Sequence, residues 1–283
     1  MRSKGNELVV VTGTSSGIGR ATAKRLADDG FHVLAGIRRA EDAEKAAGKN
    51  IEPVILDVTQ SDTIEALTTR IATDPQRRPL RAVVNNAGIA VNAPVEMAPL
   101  EEWRRQLEVG VIGQIAMIQA LVPILLQSGG RIVNIGSVGG RIAMAGFGPY
   151  SAAKFALEAV TDSLRREMEP FGLKVVMITP GAVSTGLSAH GTATANRLAA
   201  LMTPEQHERH DGLVDAVIGL ADAWSRDGIR PERVAAIVSR AVLALRPRTR
   251  YTAGPDAALL TGMIRFLPDR LLDGMLRRHM KLQ

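Results

Sequence analysis

The feature that most constrains this chain is a junction near its N-terminus. The apolar, largely β-branched run Leu8–Thr12 enters Gly13-Thr14-Ser15-Ser16-Gly17-Ile18-Gly19 and passes directly into the helical spacing Ile18, Ala21, Leu26, which stops at Gly30. A run with no polar alternate positions reads as a strand buried on both faces, the condition of a parallel sheet covered by helices. Glycines in the turn between such a strand and a helix let backbone N–H groups approach a pyrophosphate at the helix N-terminus. Close strand–helix packing also selects glycine there, and the G-x3-G-x-G spacing differs from the G-x-G-x-x-G form. The turn alone leaves both readings open.

The rest of the first two thirds repeats the alternation. Strands are predicted at Phe31–Ile37, Pro53–Leu56, Arg81–Val84, Arg131–Ile135 and Leu173–Ile178. Between them the spacing predicts helices at Glu41–Ala47, Asp62–Thr73 (N-capped by Ser61), Leu100 to about Gln127, and Tyr150–Glu169. After Pro180 the pattern changes: 186–230 holds no strand candidate, Pro231–Leu245 and Met263–Met280 are amphipathic, and Arg250–Ala253 is a short last strand. These elements predict an α/β fold, a single Rossmann-type doubly wound parallel sheet of about seven strands with helices on both faces. One domain is expected over 1–283, with a dinucleotide-binding and catalytic core at 1–185, a substrate lid at 186–230, and C-terminal helices with the last strand at 231–283.

Composition removes several alternatives. The chain of 283 residues has no cysteine, which excludes disulfide frameworks, thiolate metal sites and cysteine nucleophiles and fits a reducing cytoplasm. The N-terminal apolar run, Leu8 to Val11, is shorter than the roughly 7–15 residues of a secretory signal. The most apolar stretch, Val111–Leu126, is interrupted by Gln114, Gln119 and Pro123 and falls short of the ~20 residues of a membrane span, so it reads as a buried helix. The net charge is +6, but aromatic residues make up only 3% and the basic residues are dispersed apart from a C-terminal excess at Arg246, Arg248, Arg250, Arg265, Arg270, Arg277, Arg278 and Lys281. Nucleic-acid binding would cluster basic and stacking side chains and is not expected. His207, Glu208 and His210 lack a third ligand at useful spacing, so no metal is expected.

Two constellations carry chemistry. The second strand ends in Ile37-Arg38-Arg39, where dinucleotide folds place an acid for a free ribose hydroxyl or an arginine for a 2′-phosphate. No acid is present and two guanidinium forks follow, so NADP is favoured over NAD, the alternative being two solvated loop arginines. Tyr150 and Lys154 stand four residues apart at the start of a helix, on one face. A neighbouring cation stabilises a phenolate and is expected to draw the Tyr150 pKa toward neutrality, fitting it to exchange a proton with a carbonyl or alcohol oxygen. Ser137, just past a strand end, offers a hydroxyl to the same oxygen.

With these residues the chain resembles the short-chain dehydrogenase/reductase family over roughly 7–185. The motifs fall in order: Thr12-Gly13-x3-Gly17-Ile18-Gly19, Asp57-Val58, Asn85-Asn86-Ala87-Gly88, Ser137, Tyr150-x3-Lys154 and Pro180-Gly181. The resemblance implies that Ser137 positions a substrate carbonyl, that Tyr150 is the acid/base, and that Lys154 lowers its pKa and binds the nicotinamide ribose. It also implies cofactor contacts from Gly13, Ser15, Ser16, Gly17, Ile18, Gly19, Arg38, Arg39, Asp57 (adenine), Val58, Asn86 (adenine-side ribose), Ala87, Gly88, Pro180, Gly181, Val183 and Thr185 (carboxamide). Ala35-Gly36-Ile37-Arg38 and Gly148-Pro149-Tyr150 are most similar to the retinol and hydroxysteroid dehydrogenase branch. The family's long helices commonly pair subunits, so a homodimer or homotetramer is implied.

One departure stands out. Where family members carry an asparagine supporting a proton-relay water, this chain has Val109-Gly110-Val111-Ile112-Gly113. Either a water or a backbone carbonyl takes over, or the protein is a slow enzyme or a dinucleotide-binding regulatory protein with lost catalysis. In 186–230, Leu187, Leu198, Leu201, Met202, Leu213, Val217, Ile218, Leu220 and Trp224 suggest either a lipophilic alcohol or carbonyl ligand or a self-packed lid. The tail, with Phe266, Leu267, Leu271, Leu272, Met275, Leu276 and Met280 among arginines, either lies on a membrane surface or packs on the body.

Overall fold

The computed structural model describes residues 7–263 and 267–282. Its sheet has seven strands, all parallel, in the order β3-β2-β1-β4-β5-β6-β7: β1 Leu8–Val11, β2 His32–Ile37, β3 Ile51–Ile55, β4 Leu80–Asn85, β5 Arg131–Ile135, β6 Lys174–Pro180 and β7 Arg250–Ala253. The helices are α1 Gly17–Asp28, α2 Ala43–Ala46, α3 Ser61–Ala72, α4 Leu100–Leu107, α5 Gly113–Ser128, α6 Gly148–Met168, α7 Gly186–Ala199, α8 Pro204–Asp227, α9 Pro231–Leu243, α10 Pro255–Met263 and α11 Asp269–His279.

Strand alternation divides the core. Val9 and Val11 join Ala23 and Leu26 of α1 and Val234 and Val238 of α9 on one face. Leu8 and Val10 join Leu67 of α3 and Met117, Leu121 and Leu125 of α5 on the other. All four residues of β1 are buried, which is why its sequence shows no polar alternation. The chain winds outward from β1 through β2 to β3, then crosses back to β4, so the strand order reverses between β1 and β4. In an open α/β sheet that reversal opens a crevice at the carboxyl ends of the strands.

Several boundaries differ from expectation. Gln60, not Ser61, is the N-cap of α3; the Thr63 hydroxyl donates to the Gln60 and Asp57 carbonyls there. The Glu41–Ala47 helix is a 3-10 turn, Ala40–Asp42, followed by the single turn of α2. The long helix from Leu100 is continuous to Ser128, but a π-helical stretch, Glu108–Ile112, separates α4 from α5. Its apolar part is long enough to cross a membrane by length and composition, with 44% of that window buried in the protein. Pro123 does not break α5: it and Gln119, whose carbonyl loses its helical partner, both lie on the exposed side of the helix. The expected Met263–Met280 helix is instead two, α10 and α11; Arg265 and Phe266 lie outside the described residues.

Candidate functional site

Every predicted site residue before α7 lies at or just beyond the carboxyl end of a strand, or on the helix that follows, on the edge where the order reverses. The turn after β1 is drawn tight. Gly13 (φ +68°) and Gly17 (φ +54°) occupy the left-handed region, and a Cβ on Gly19 would fall 2.1 Å from the Gly13 carbonyl oxygen. Only glycine fits. The turn is stapled to β4 by Thr12, whose buried hydroxyl accepts from the backbone N–H of Asn86 (2.9 Å) and Ala87 (2.8 Å). Asn86 returns the contact, its Nδ2 donating to the carbonyls of Thr12 (2.9 Å) and Gly13 (3.1 Å). Asn86 is thus a brace beneath the turn, with both amide protons committed. Ser16 caps α1 without a side-chain hydrogen bond, and the first turn carries no acid, so the positive end of that helix faces the crevice unopposed.

The two arginines after β2 separate. Arg39 pairs with Glu41 (3.0 Å) and Asp42 (3.3 Å), whereas exposed Arg38 has no ion pair among the described residues. Asp57 Oδ1 accepts from the Thr59 N–H (3.0 Å) and hydroxyl (2.8 Å), leaving Oδ2 for another donor. The Val58 side chain is buried in the core; a Cβ on Gly113 of α5 would lie 2.7 Å from its Cγ2, which accounts for glycine at 113.

Ser137 follows β5 and its Oγ accepts from the Gly139 N–H at 3.1 Å. A Cβ on Gly139 would lie 3.1 Å from Tyr150 Cε1 and 3.5 Å from Ser137 Oγ, so the glycine is the gap that lets phenol and hydroxyl share a site. One turn along α6, Lys154 is 8% exposed; its Nζ donates to the Ile135 carbonyl at 2.8 Å and sits 5.9 Å from the Tyr150 ring centroid. Burial sets the ionisation here. It pushes the phenol of Tyr150 up, with the Ser137 hydroxyl pulling the other way, and it lowers Lys154 to about 8, against the attraction of Glu158. The direction for Tyr150 is thus upward and set by desolvation, opposite to the lowering expected from Lys154.

At the departure from the family pattern, Gly110 lies in the π-helical stretch, and a Cβ there would meet Ala153 Cβ at 3.1 Å and Gln106 Nε2 at 3.4 Å. Two glutamines brace this segment: Gln106 Oε1 accepts from the Val91 N–H (2.9 Å), and Gln114 Nε2 donates to the Ala87 (2.8 Å) and Val109 (3.1 Å) carbonyls.

After β6, Pro180-Gly181-Ala182 is held by a residue that sequence reasoning missed. Asp256, in the first turn of α10, accepts from the Ala182 N–H at 2.7 Å, and a Cβ on Gly181 would fall 2.0 Å from its Oδ2. No local signal links residues 74 positions apart; Gly254-Pro255-Asp256 announces only a helix start. Val183 bridges to Ile229, Thr185 N-caps α7, and the Thr185 methyl would lie 3.2 Å from a Cβ on Gly17, bringing the start of α7 over the glycine turn. Thr12 is the other omission, a motif residue whose bracing role needs β4 beside it.

The apolar side chains of 186–230 mostly pack on the protein. Leu198 is buried against Val91 and Ala93, while Leu213, Val217, Leu220 and Trp224 join Phe147 and Met144 in a cluster completed by Met280 and Leu282. Leu201 is exposed. In the tail, Met280 is buried while Leu271 and Met275 face outward. His210 pairs with Glu96 (2.6 Å) and His207 with Asp211 (2.7 Å).

Comparison with known proteins matches this geometry. A sequence profile described as short chain dehydrogenase matches residues 7–196. Retinol dehydrogenase 7 of Mus musculus is 34% identical over 281 residues, covering 96% of this chain and 88% of the relative. An NADPH-dependent 3-dehydrocapnine reductase of Ornithobacterium rhinotracheale is 30% identical over 280 residues, covering 96% of each. A short-chain dehydrogenase structure from Streptomyces avermitilis superposes with a TM-score of 0.75 at 28% identity, over 99% of this chain and 96% of that one. A sheet reversed at β1/β4, a glycine turn at that reversal, a serine, tyrosine and lysine at its edge and these relatives lead to one conclusion: the chain is a member of the short-chain dehydrogenase/reductase family, on its retinol dehydrogenase-like side.

Proposed function

We propose that this protein is an NADP(H)-preferring oxidoreductase that interconverts an alcohol and its ketone or aldehyde on a lipophilic substrate, in one domain whose 186–230 segment is the substrate lid. The observation that carries the reading is the cluster of Ser137, Tyr150 and buried Lys154 around the gap at Gly139. The glycine turn is a cradle that any Cβ would fill, and it fits a pyrophosphate. When bound, the nicotinamide dinucleotide supplies or accepts the hydride.

In this reading the backbone of 13–19, with Ser15, Ser16 and Ile18, holds the diphosphate, while Asp57 and the backbone of Val58 meet the adenine. Arg38, free of acids, meets a 2′-phosphate. Ala87 and Gly88 border the ribose side, and Pro180, Gly181, Val183 and Thr185 face the carboxamide. Lys154 spends one proton on Ile135 and keeps two for the nicotinamide ribose. Tyr150, held neutral by burial, begins as the proton donor to a carbonyl oxygen, the state that reduction requires, and Ser137 orients that oxygen.

The names of the relatives support an alcohol or carbonyl substrate and NADPH. The lipophilic preference draws on Val95, 67% exposed and beside Gly148 at the start of the tyrosine helix. Exposed Ile112, Leu126 and Phe155 on the long helices suit pairing of subunits. Gly110 supports a second reading, a dinucleotide-binding regulatory protein, because the relay asparagine is absent and its place is crowded. NADPH oxidation across a panel of lipophilic ketones and aldehydes separates the two. Turnover on the panel, at least tenfold better with NADPH than with NADH, supports the enzyme; tight NADPH binding with no turnover supports the regulator.

A further inference from the structure

Glu158 is a carboxylate that the proposed chemistry does not use. It stands one turn beyond Lys154 on the same face of α6 and is 7% exposed. Its Oε2 meets two arginines from different elements: Arg141, in the loop after Ser137, at 3.2 Å, and Arg250, at the start of β7. Its Oε1 is buried with no hydrogen-bond partner, near the place a Cβ on Gly136 would occupy (3.6 Å), beside the residue that precedes Ser137. Arg250 also reaches Asp162 (2.7 Å), which pairs in turn with Arg165 and Arg166. A buried carboxylate with one unbonded oxygen is costly, and two arginines on the other oxygen offset that cost without filling the site. The unbonded oxygen is the one on the Gly136 side, where β5 hands over to the loop that carries Ser137.

We propose that Glu158 is a positioning residue for the Tyr150–Lys154 pair: one helical turn from Lys154 and clamped by Arg141 and Arg250, its carboxylate supplies a fixed anion on the lysine's face of α6 and ties the Ser137 loop and the last strand to the tyrosine helix. The proposal rests on the oxidoreductase reading for its consequence but not for its test. The charged groups around Glu158 are Lys154 and Asp162 on its own helix, Arg141 from the loop after β5 and Arg250 from β7; β6 contributes the apolar Met177 at Gly136. Around Lys154, Tyr150 is neutral and the turn after Ser137 contributes Gly140, so Glu158 is the anion that opposes its desolvation. Without it, burial acts on Lys154 alone. The lysine then discharges at lower pH, Tyr150 loses its cation, and the site fails from the alkaline side.

The test is a titration of Lys154 in the full-length protein, labelled with 13C at lysine Cε, without substrate. With seven lysines in the chain the spectrum is simple, and Lys154→Met identifies the resonance. Wild type is expected to titrate near 8 and Glu158→Gln lower by about one pH unit, a tenfold loss of proton affinity. Glu158→Asp keeps the charge and should restore most of the midpoint. Arg141→Gln, at a partly exposed side chain, removes a cation and should move it upward. An unchanged midpoint in Glu158→Gln overturns the proposal. If that variant does not fold, an unchanged midpoint in Arg141→Gln does so. On any substrate turned over, the alkaline limb of kcat should follow the Lys154 midpoint across these variants while KM stays close to wild type. Because the titration needs no turnover, a failed substrate panel and a failed role for Glu158 give different results.

Discussion

At the scale of the residue, burial decides more of this site than pairing does. Tyr150 and Lys154 have the spacing that suggests a phenol tuned by a cation, yet desolvation moves both toward their neutral forms. Activity that needs the Lys154 cation should therefore fall as pH rises through about 8, which a pH profile of kcat/KM with saturating NADPH measures. Arg38 and Arg39 were legible in the sequence as a pair suited to phosphate. Their inequality was not, because it comes from the fold of 39–42 that brings Glu41 and Asp42 to Arg39. Arg38→Ala should weaken NADPH by roughly tenfold or more relative to NADH, since charge-assisted contacts are worth about 1.5–3 kcal/mol. Arg39→Ala should change the ratio little, and equal effects of the two would show that Arg38 does not read the 2′-phosphate. Gly110→Asn is crowded by Ala153 and should destabilise by about 1–3 kcal/mol. Adding Ala153→Gly should return part of that loss in a urea melt.

At the scale of elements, strands were easy to find and their ends were not. β1 follows from local composition, because its four buried residues are all apolar, and β5 is marked by Ile132, Val133 and Ile135 although it buries Arg131 and Asn134 as well; β7, only partly buried, is marked by its place after the helical spacing of 231–245. The π-helical stretch at Glu108–Ile112 and the reach of Asp256 to Ala182 depend on what packs alongside, and no local period carries them, whereas Pro268 at the N-cap of α11 is a local signal that no single helix runs through the tail. The connection from α3 to β4 is instead held by near neighbours, four residues apart. Asp74, with its side chain 2% exposed, binds Arg78 through backbone N–H and guanidinium and Arg70 at 3.1 Å, and these hold its carboxyl well below the usual carboxylate range. A carboxyl depressed in the folded state stabilises above its unfolded pKa, about 3.9, and that stability is lost as pH falls toward the folded value. Asp74→Asn should thus cost about 3 kcal/mol at neutral pH, with the gap to wild type closing below about pH 4. A gap of constant size in denaturant melts across that range would contradict the assignment.

At the scale of the whole molecule, the winding order places the crevice, and it places it where the motifs are. Chain order alone implied this, since βαβ crossovers of one hand leave few ways to arrange these strands. The lid was harder to read: its apolar residues suited a ligand or a neighbour equally, and the structure commits Leu198, Val217 and Trp224 to neighbours. The long helices keep Ile112, Leu126 and Phe155 exposed, so the protein should sediment as a dimer or tetramer, and Phe155→Glu should shift it toward monomer. A monomeric wild type at micromolar concentration would remove that face from the account.

The most direct measurement of the central claim compares wild type with Tyr150→Phe, reading NADPH oxidation on a lipophilic carbonyl and NADPH affinity by cofactor fluorescence. Losing only the phenolic proton should cut turnover by roughly 10²–10⁴-fold and leave the dissociation constant for NADPH nearly unchanged. Turnover in Tyr150→Phe comparable to wild type would contradict the account, because the proton on the reacting oxygen would then come from elsewhere.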